Sequence, residues 1–235
     1  MLWGLQPVAP QATYGLAVER LRRQIHTGLL LPEEKLPAER QLSENFGISR
    51  VTLREALRVL ETDRYITVRR GALGGAFVTD RDRLSDLARR RITREPGGAM
   101  RVLEFLCANE RAAVSFAVER RGLPELKRMQ QAATMMAATS DPAARKQAEA
   151  LFHLALGDAA HNQHFARAIA DGLAELFLPV TGAHGAPAAA ERSAAAYHLL
   201  WKALEDRDSA AATAAVDEIH SAWWQTLRNV LRSAA

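Results

Sequence analysis

Four side chains in the second half of the chain have the types and spacing of a metal site. Glu149 and His153 are four residues apart, which puts them one turn apart on one face of a helix. His198 and His220 fall on two later helical stretches, each among apolar neighbours: Leu199, Trp201 and Leu204 near the first, Val216, Ile219 and Trp223 near the second. Three imidazoles and a carboxylate from three helices can converge inside a bundle. Such a set suits a divalent transition metal, zinc first, with nickel or manganese as alternatives, and leaves coordination positions open for a ligand. The spacing alone equally allows partly buried histidines, each bonded to a backbone or side-chain acceptor. His161 and His164 flank a helix break and His184 lies in a Gly/Ala/Pro-rich stretch, so none of these three is assigned a role.

A second constellation lies upstream, in LPAERQLSENFGISRVTLREALRVLETDRYITVRR from Leu36 to Arg70. The stretch from Ala38 to Asn45 suits a short helix with Leu42 and Phe46 turned inward. Gly47 can take the positive φ of a tight inter-helix turn, and Ser49 stands where an N-cap belongs. Val51, Leu53, Ala56, Leu57 and Leu60 then recur at helical spacing. Arg50 and Arg54 fall on the outward face of this second helix, from which a recognition helix reaches base edges and phosphates. Arg40 with Glu44, and Arg58 with Glu55 or Glu61, could instead be solvated pairs. Arg54 has no carboxylate three or four residues away.

The elements around these residues divide the chain. Thr13 to Thr27 carries a helical stripe of Leu16, Ala17, Leu21, Gln24 and Ile25, and Gly28 can stop it. Tyr65 to Arg69 alternates as a strand does, glycines at 71, 74 and 75 make a turn, and Ala76-Phe77-Val78 suits the returning strand. The stretch 1–80 therefore reads as a winged helix-turn-helix with a small two-stranded wing. Residues 81–98, charged and ending in Pro96-Gly97-Gly98, read as a linker region. Residues 99–235 show only helical periodicity, with helices expected near 99–121, 124–138, 142–160, 163–177, 189–206 and 209–231. The fold class is mainly α: a winged helix followed by an all-helical bundle.

Composition sets the outer limits. The chain has 235 residues, 48% hydrophobic and 25% charged, within the range of globular proteins. No apolar run approaches a membrane span, and the opening MLWGLQPVAPQ lacks the features of a secretory signal. Cys107 is the only cysteine, which fits a reducing cytoplasm and forbids an intrachain disulfide. Residues 1–95 carry 17 Lys+Arg against 12 Asp+Glu, whereas residues 96–235 carry 14 against 15. The basic excess thus lies with the helix-turn-helix, and it is almost all arginine, which holds phosphate and guanine bidentately.

Taken in order, the helix at 13–27, LPAERQLSENFGISRVTLREALRVLE and ITVRRGALGGAFV resemble the N-terminal domain of GntR-family bacterial transcription regulators. The resemblance implies DNA contacts by Arg40, Arg50, Thr52 and Arg54, with Arg70 and Gly71 at the wing tip. Arg64 and Glu33 depart from it, each standing where the family usually has a turn glycine, and a left-handed backbone at Arg64 would be strained. The helical half resembles the FCD effector-binding domain. There Glu149-Ala-Leu-Phe-His153 takes the place of an Asp-x-x-x-His pair, and His198 and His220, at the spacing the family leads one to expect, take the places of two later histidines. Asn162 takes the place of an asparagine implied near the effector. Glu149 for aspartate is one departure, and its extra methylene alters how the carboxylate could ligate. Leu106 is another, where an arginine commonly pairs with an acidic effector.

The resemblance implies a homodimeric regulator, most often a repressor, that reads a palindromic double-stranded operator and is controlled by a small-molecule effector in a metal-containing helical domain. It implies no enzyme and no membrane partner. Two other readings fit the residues. One is a metal-dependent hydrolytic enzyme with an appended DNA-binding module, which lacks a separate general base and an HExxH motif in this sequence. The other is a regulator whose helical half only holds the dimer.

Overall fold

The structure is a computed structural model and describes residues 13–71, 74–180 and 187–233. Its elements among those residues are ten helices and one two-stranded sheet. His184 lies outside the described residues.

The first core is small and built from both ends of the winged helix. Helix α1 (Thr13–Thr27) buries Ala17, Val18, Leu21 and Ile25. The buried stripe is thus turned slightly from the expected one: Leu16 is exposed and Val18 takes the inward place. Helix α2 (Glu39–Phe46) ends at Gly47, whose φ of 65° lets its N–H turn back to Ser43 and Glu44 carbonyls. Ser49 caps α3 (Arg50–Thr62), its side chain accepting from the Thr52 N–H at 3.0 Å. Leu53, Ala56, Leu57 and Leu60 of α3 pack against α1, while Val51 stays exposed. Strands β1 (Ile66–Arg69) and β2 (Gly75–Val78) pair antiparallel, Ile66 opposite Val78 and Arg69 opposite Gly75. Arg64 and Glu33 take the left-handed backbone expected of the glycines they replace, with φ of 64° and 62°.

Residues 81–94 form a full helix, α4 (Arg81–Arg94), capped by the Asp80 side chain at the Arg83 N–H. Its Leu84 joins the first core and its Ile92 the second. The connection between the two halves is therefore packed on both sides.

The second core is a bundle of α5 (Pro96–Arg120), α6 (Leu123–Ala138), α7 (Pro142–Ala159), α8 (Gln163–Leu176), α9 (Pro187–Asp206) and α10 (Ser209–Arg232). Helix α5 packs against α7, α8, α9 and α10. Its buried stripe runs Leu103, Leu106, Glu110, Ala113, Ala117. One position of that otherwise apolar stripe carries a carboxylate, and it lies at the centre of the bundle.

Candidate functional site

Glu110 is fully buried, so its carboxylate needs partners from neighbouring helices. His153 of α7 and His220 of α10 supply them. His153 Nδ1 lies 2.7 Å from Oε1, an ion-pair contact, and His220 Nε2 donates to Oε2 at 2.8 Å. Burial by itself would raise the Glu110 carboxyl; the imidazoles of His153 and His220 outweigh it and hold the group down at about 2. The other nitrogen of His153, Nε2, lies 2.8 Å from the hydroxyl of Tyr197 on α9. Burial, then the charges of Glu149 and Glu110, push the Tyr197 hydroxyl well above its ordinary value. It stays protonated, unsuited to act as a nucleophile.

His153 and Tyr197 form part of the wall of a cavity of about 70 Å³. Glu149 lines it one turn before His153, and Lys146 lies one turn before Glu149. Burial pushes the Lys146 ammonium down to about 8, opposed by the Glu149 charge, and its Nζ donates to the Leu178 carbonyl at 2.7 Å. Leu173, Phe177, Ile219 and Trp223 supply much of the apolar lining.

The cavity is closed on one side by the winged-helix half. His26 and Thr27, at the end of α1, belong to its wall. His26 Nδ1 donates to the Ala174 carbonyl at 2.9 Å, which leaves Nε2 to accept from the Tyr65 hydroxyl at 2.9 Å. Burial drives the His26 imidazole down to about 3, so it is neutral in this arrangement. Arg23 pairs with Asp171, and Gln147 donates to the Leu29 carbonyl at 3.1 Å. Gly28, at φ 82°, is needed for the close approach as well as the turn: a Cβ there would stand 3.2 Å from Lys146 Cγ.

The structure sorts the residues expected at a metal. His153 and His220 meet through Glu110, and Glu149 lies beside them in the cavity wall. His198 does not join them, and that expectation is corrected: it is exposed, its ring tilted against Trp201 in a surface groove. Adjacent residues on a helix point about 100° apart, so Tyr197 takes the inward position and His198 faces out. Asn162 likewise stands away from the cavity lining; it caps α8, its side chain accepting from the His164 N–H at 3.0 Å. Among the described residues no three His, Cys, Asp or Glu side chains are arranged to share a metal ion. His153 and His220 each contact Glu110, and the three-histidine site implied by the resemblance does not fit them. Glu110, Tyr197, Lys146 and His26 were not anticipated. Of these, Glu110 had a signal, a lone carboxylate on an apolar helical stripe.

At the other end of the molecule, Arg50, Thr52 and Arg54 stand together on the first turns of α3, Thr52 half-buried and the two arginines exposed. Arg54 Nε pairs with Glu39 Oε2 across the turn at 2.8 Å, and Arg40 pairs with Glu44 at 3.1 Å. Arg50 has no ion pair among the described residues. Val51, 69% exposed, lies beside these arginines. Arg70 and Gly71 begin the wing loop.

Two family models match the chain: that of bacterial regulatory proteins of the gntR family over residues 13–78, and that of the FCD domain over residues 101–222, more than half of its length. The chain belongs to the GntR family and carries an FCD domain. The cluster around Glu110 and the cavity lie in the FCD domain, and α1 brings the GntR domain against them. Relatives include RmpR of Mycobacterium gastri, 33% identical over 153 residues, 64% of this chain and 56% of RmpR. The Uxu operon transcriptional regulator of Escherichia coli is 28% identical over 135 residues, 56% of this chain and 52% of that one. The chain thus spans a little over half the length of these curated relatives. Among solved structures, Escherichia coli McbR/YncC matches with a TM-score of 0.52 at 21% identity, covering 96% of this chain and all of that one. A GntR-family regulator from Pseudomonas syringae pv. tomato matches with the same score and identity over 98% of this chain and 91% of its own. At that identity the likeness is one of fold. Among the described residues no helix is long and apolar enough to cross a membrane.

Proposed function

We propose that the chain is a DNA-binding transcription regulator, a homodimeric repressor of a palindromic operator, whose grip on DNA is set by a small molecule in the cavity. Its α3 would enter the major groove with Arg50, Val51, Thr52 and Arg54 toward the bases and phosphates, Arg40 on the flanking backbone, and Arg70 and Gly71 in the wing. The exposed valine suits a thymine methyl group better than it suits water.

The observation that carries the sensing part is the composition of the cavity wall. It is made by α7, α8, α9 and α10 of the FCD domain together with His26 and Thr27 of the GntR domain. An occupant therefore touches both halves, and its contact energy differs between arrangements that keep or release the end of α1. That difference is what a ligand needs to shift one population at the expense of another. The hydrolytic reading gains no support from the site, because its hydrogen-bonded chain ends on a phenol held protonated.

Filling the cavity tests this. Ala222 lines it and is exposed, so Ala222→Trp should be accommodated. Mobility shifts on the region upstream of the chain's own gene should show DNA binding by both proteins, with a metabolite screen finding a compound that changes the affinity of wild type only. Equal responses in both proteins would place the ligand elsewhere.

A further inference from the structure

We infer that the buried site of this FCD domain works without a metal ion, with the Glu110 carboxylate standing between two imidazoles where a shared ion would lie. A zinc ion sits about 2.0–2.2 Å from each nitrogen or oxygen ligand, so two ligands of one ion stand roughly 3 Å or more apart. Here the imidazole nitrogens are 2.7 and 2.8 Å from the two Glu110 oxygens, in direct contact with no gap for an ion. The remaining nitrogen of His153 is taken by Tyr197. His153 Nδ1 and Glu110 Oε1 face each other, and of the two ring nitrogens turned away from Glu110 only His220 Nδ1 has no hydrogen-bond partner among the described residues, one donor where a tetrahedral site needs several. The third imidazole faces solvent on the far side of α9, and a phenol fills its inward place. The Lys146 side chain lines the same cavity beside Glu149, and its positive charge opposes a second cation there.

This assigns Glu110 and Tyr197 a structural part that a metal would otherwise play, tying α5, α7, α9 and α10 together at the cavity floor. Ligand recognition in this chain then rests on side chains alone.

The full chain is purified without added metal, dialysed against a chelator, then offered zinc, nickel or manganese chloride. Metal content is measured by mass spectrometry and stability by thermal melting. His153→Gln and His220→Gln, chosen to keep the buried volume, are carried alongside. The expected result is metal content well below one equivalent as purified, and a wild-type melting temperature that the added metals leave unchanged. Uptake that is the same in wild type and both variants comes from elsewhere on the surface and agrees with the inference. One equivalent in wild type, lost in either variant and accompanied by a rise in melting temperature, would overturn it. Tyr197→Phe gives a second reading: it should melt lower than wild type to the same extent with chelator or with zinc, whereas a destabilisation that zinc repairs contradicts the inference.

Discussion

The imidazole of His26 stacks on the ring of Phe177, centroids 3.9 Å apart and planes 9° from parallel. The two residues belong to different domains, and both line the cavity. Phe177 sits just after α8 at φ 34°, a backbone that a bulky side chain adopts only when its surroundings hold it. Displacing that ring removes the seat on which the end of α1 rests. Phe177→Ala should therefore leave the FCD core folded yet loosen α1, seen as faster amide exchange in residues 20–30. Unchanged exchange there would show that the stack does not hold the domains.

The same contact makes the molecule acid-sensitive. His26 is held at about 3 by burial, against an ordinary value of 6.5 in the unfolded chain. The unfolded chain takes up a proton first, so stability falls as pH drops through 6.5 toward 3. Between pH 7 and 5 this one group accounts for about 2 kcal/mol. His26→Gln should flatten the acid side of a denaturant-midpoint profile over that range, at a lower starting stability. A profile as steep as wild type would assign the acid sensitivity to other groups.

Glu110 is expected to dominate the stability of the bundle. Removing one partner of a buried pair leaves the others uncompensated, at a cost of about 3–5 kcal/mol, so Glu110→Ala should lower the urea midpoint by that equivalent. The carboxylate's contribution is complete above its unfolded value of 4.5 and is lost as pH falls toward about 2. Glu110→Gln should accordingly lose the most, relative to wild type, near neutral pH and converge on it in acid. A constant gap at all pH values would contradict the ionised carboxylate.

Arg54 and Arg50 make separable predictions. Each good base contact is worth about 1–3 kcal/mol, so Arg54→Ala or Arg50→Ala should weaken operator binding roughly ten- to a hundred-fold without shifting the melting temperature. Glu39 occupies Arg54 in the free protein at 2.8 Å, and Glu39→Gln should bind DNA somewhat more tightly. Anisotropy titrations at two salt concentrations check both, since loss of a phosphate contact lowers the salt slope and loss of a base contact does not.

Arg64 pays a backbone cost at φ 64° that glycine would not. Arg64→Gly should stabilise the winged helix by roughly 1 kcal/mol, read as a higher melting temperature with DNA affinity unchanged. A lower melting temperature would mean that the arginine side chain offsets the strain.

Much of this was legible in the chain. Periodicity, Gly47 and Ser49 locate the helix-turn-helix, and periodicity locates the bundle helices, because these signals are local. The site was harder to read, for two physical reasons. Periodicity places a helix face only to within about a residue, and one residue is a rotation of about 100°, so His198 was expected inside where Tyr197 stands. The contacts that build the cavity join His26 to Phe177 and Glu110 to His220, across intervals that no local pattern spans. Glu110 itself stood in plain view on the stripe of Leu103, Leu106 and Ala113, but its partners come from helices far along the chain.

The central claim, that this is a ligand-controlled DNA-binding regulator, is tested most directly by footprinting purified protein on the region upstream of its own gene. The account predicts two protected half-sites about one helical turn apart or a multiple of it, lost in Arg50→Ala and Arg54→Ala and altered by a small molecule to which Ala222→Trp is blind. Protection that both arginine variants retain would contradict it.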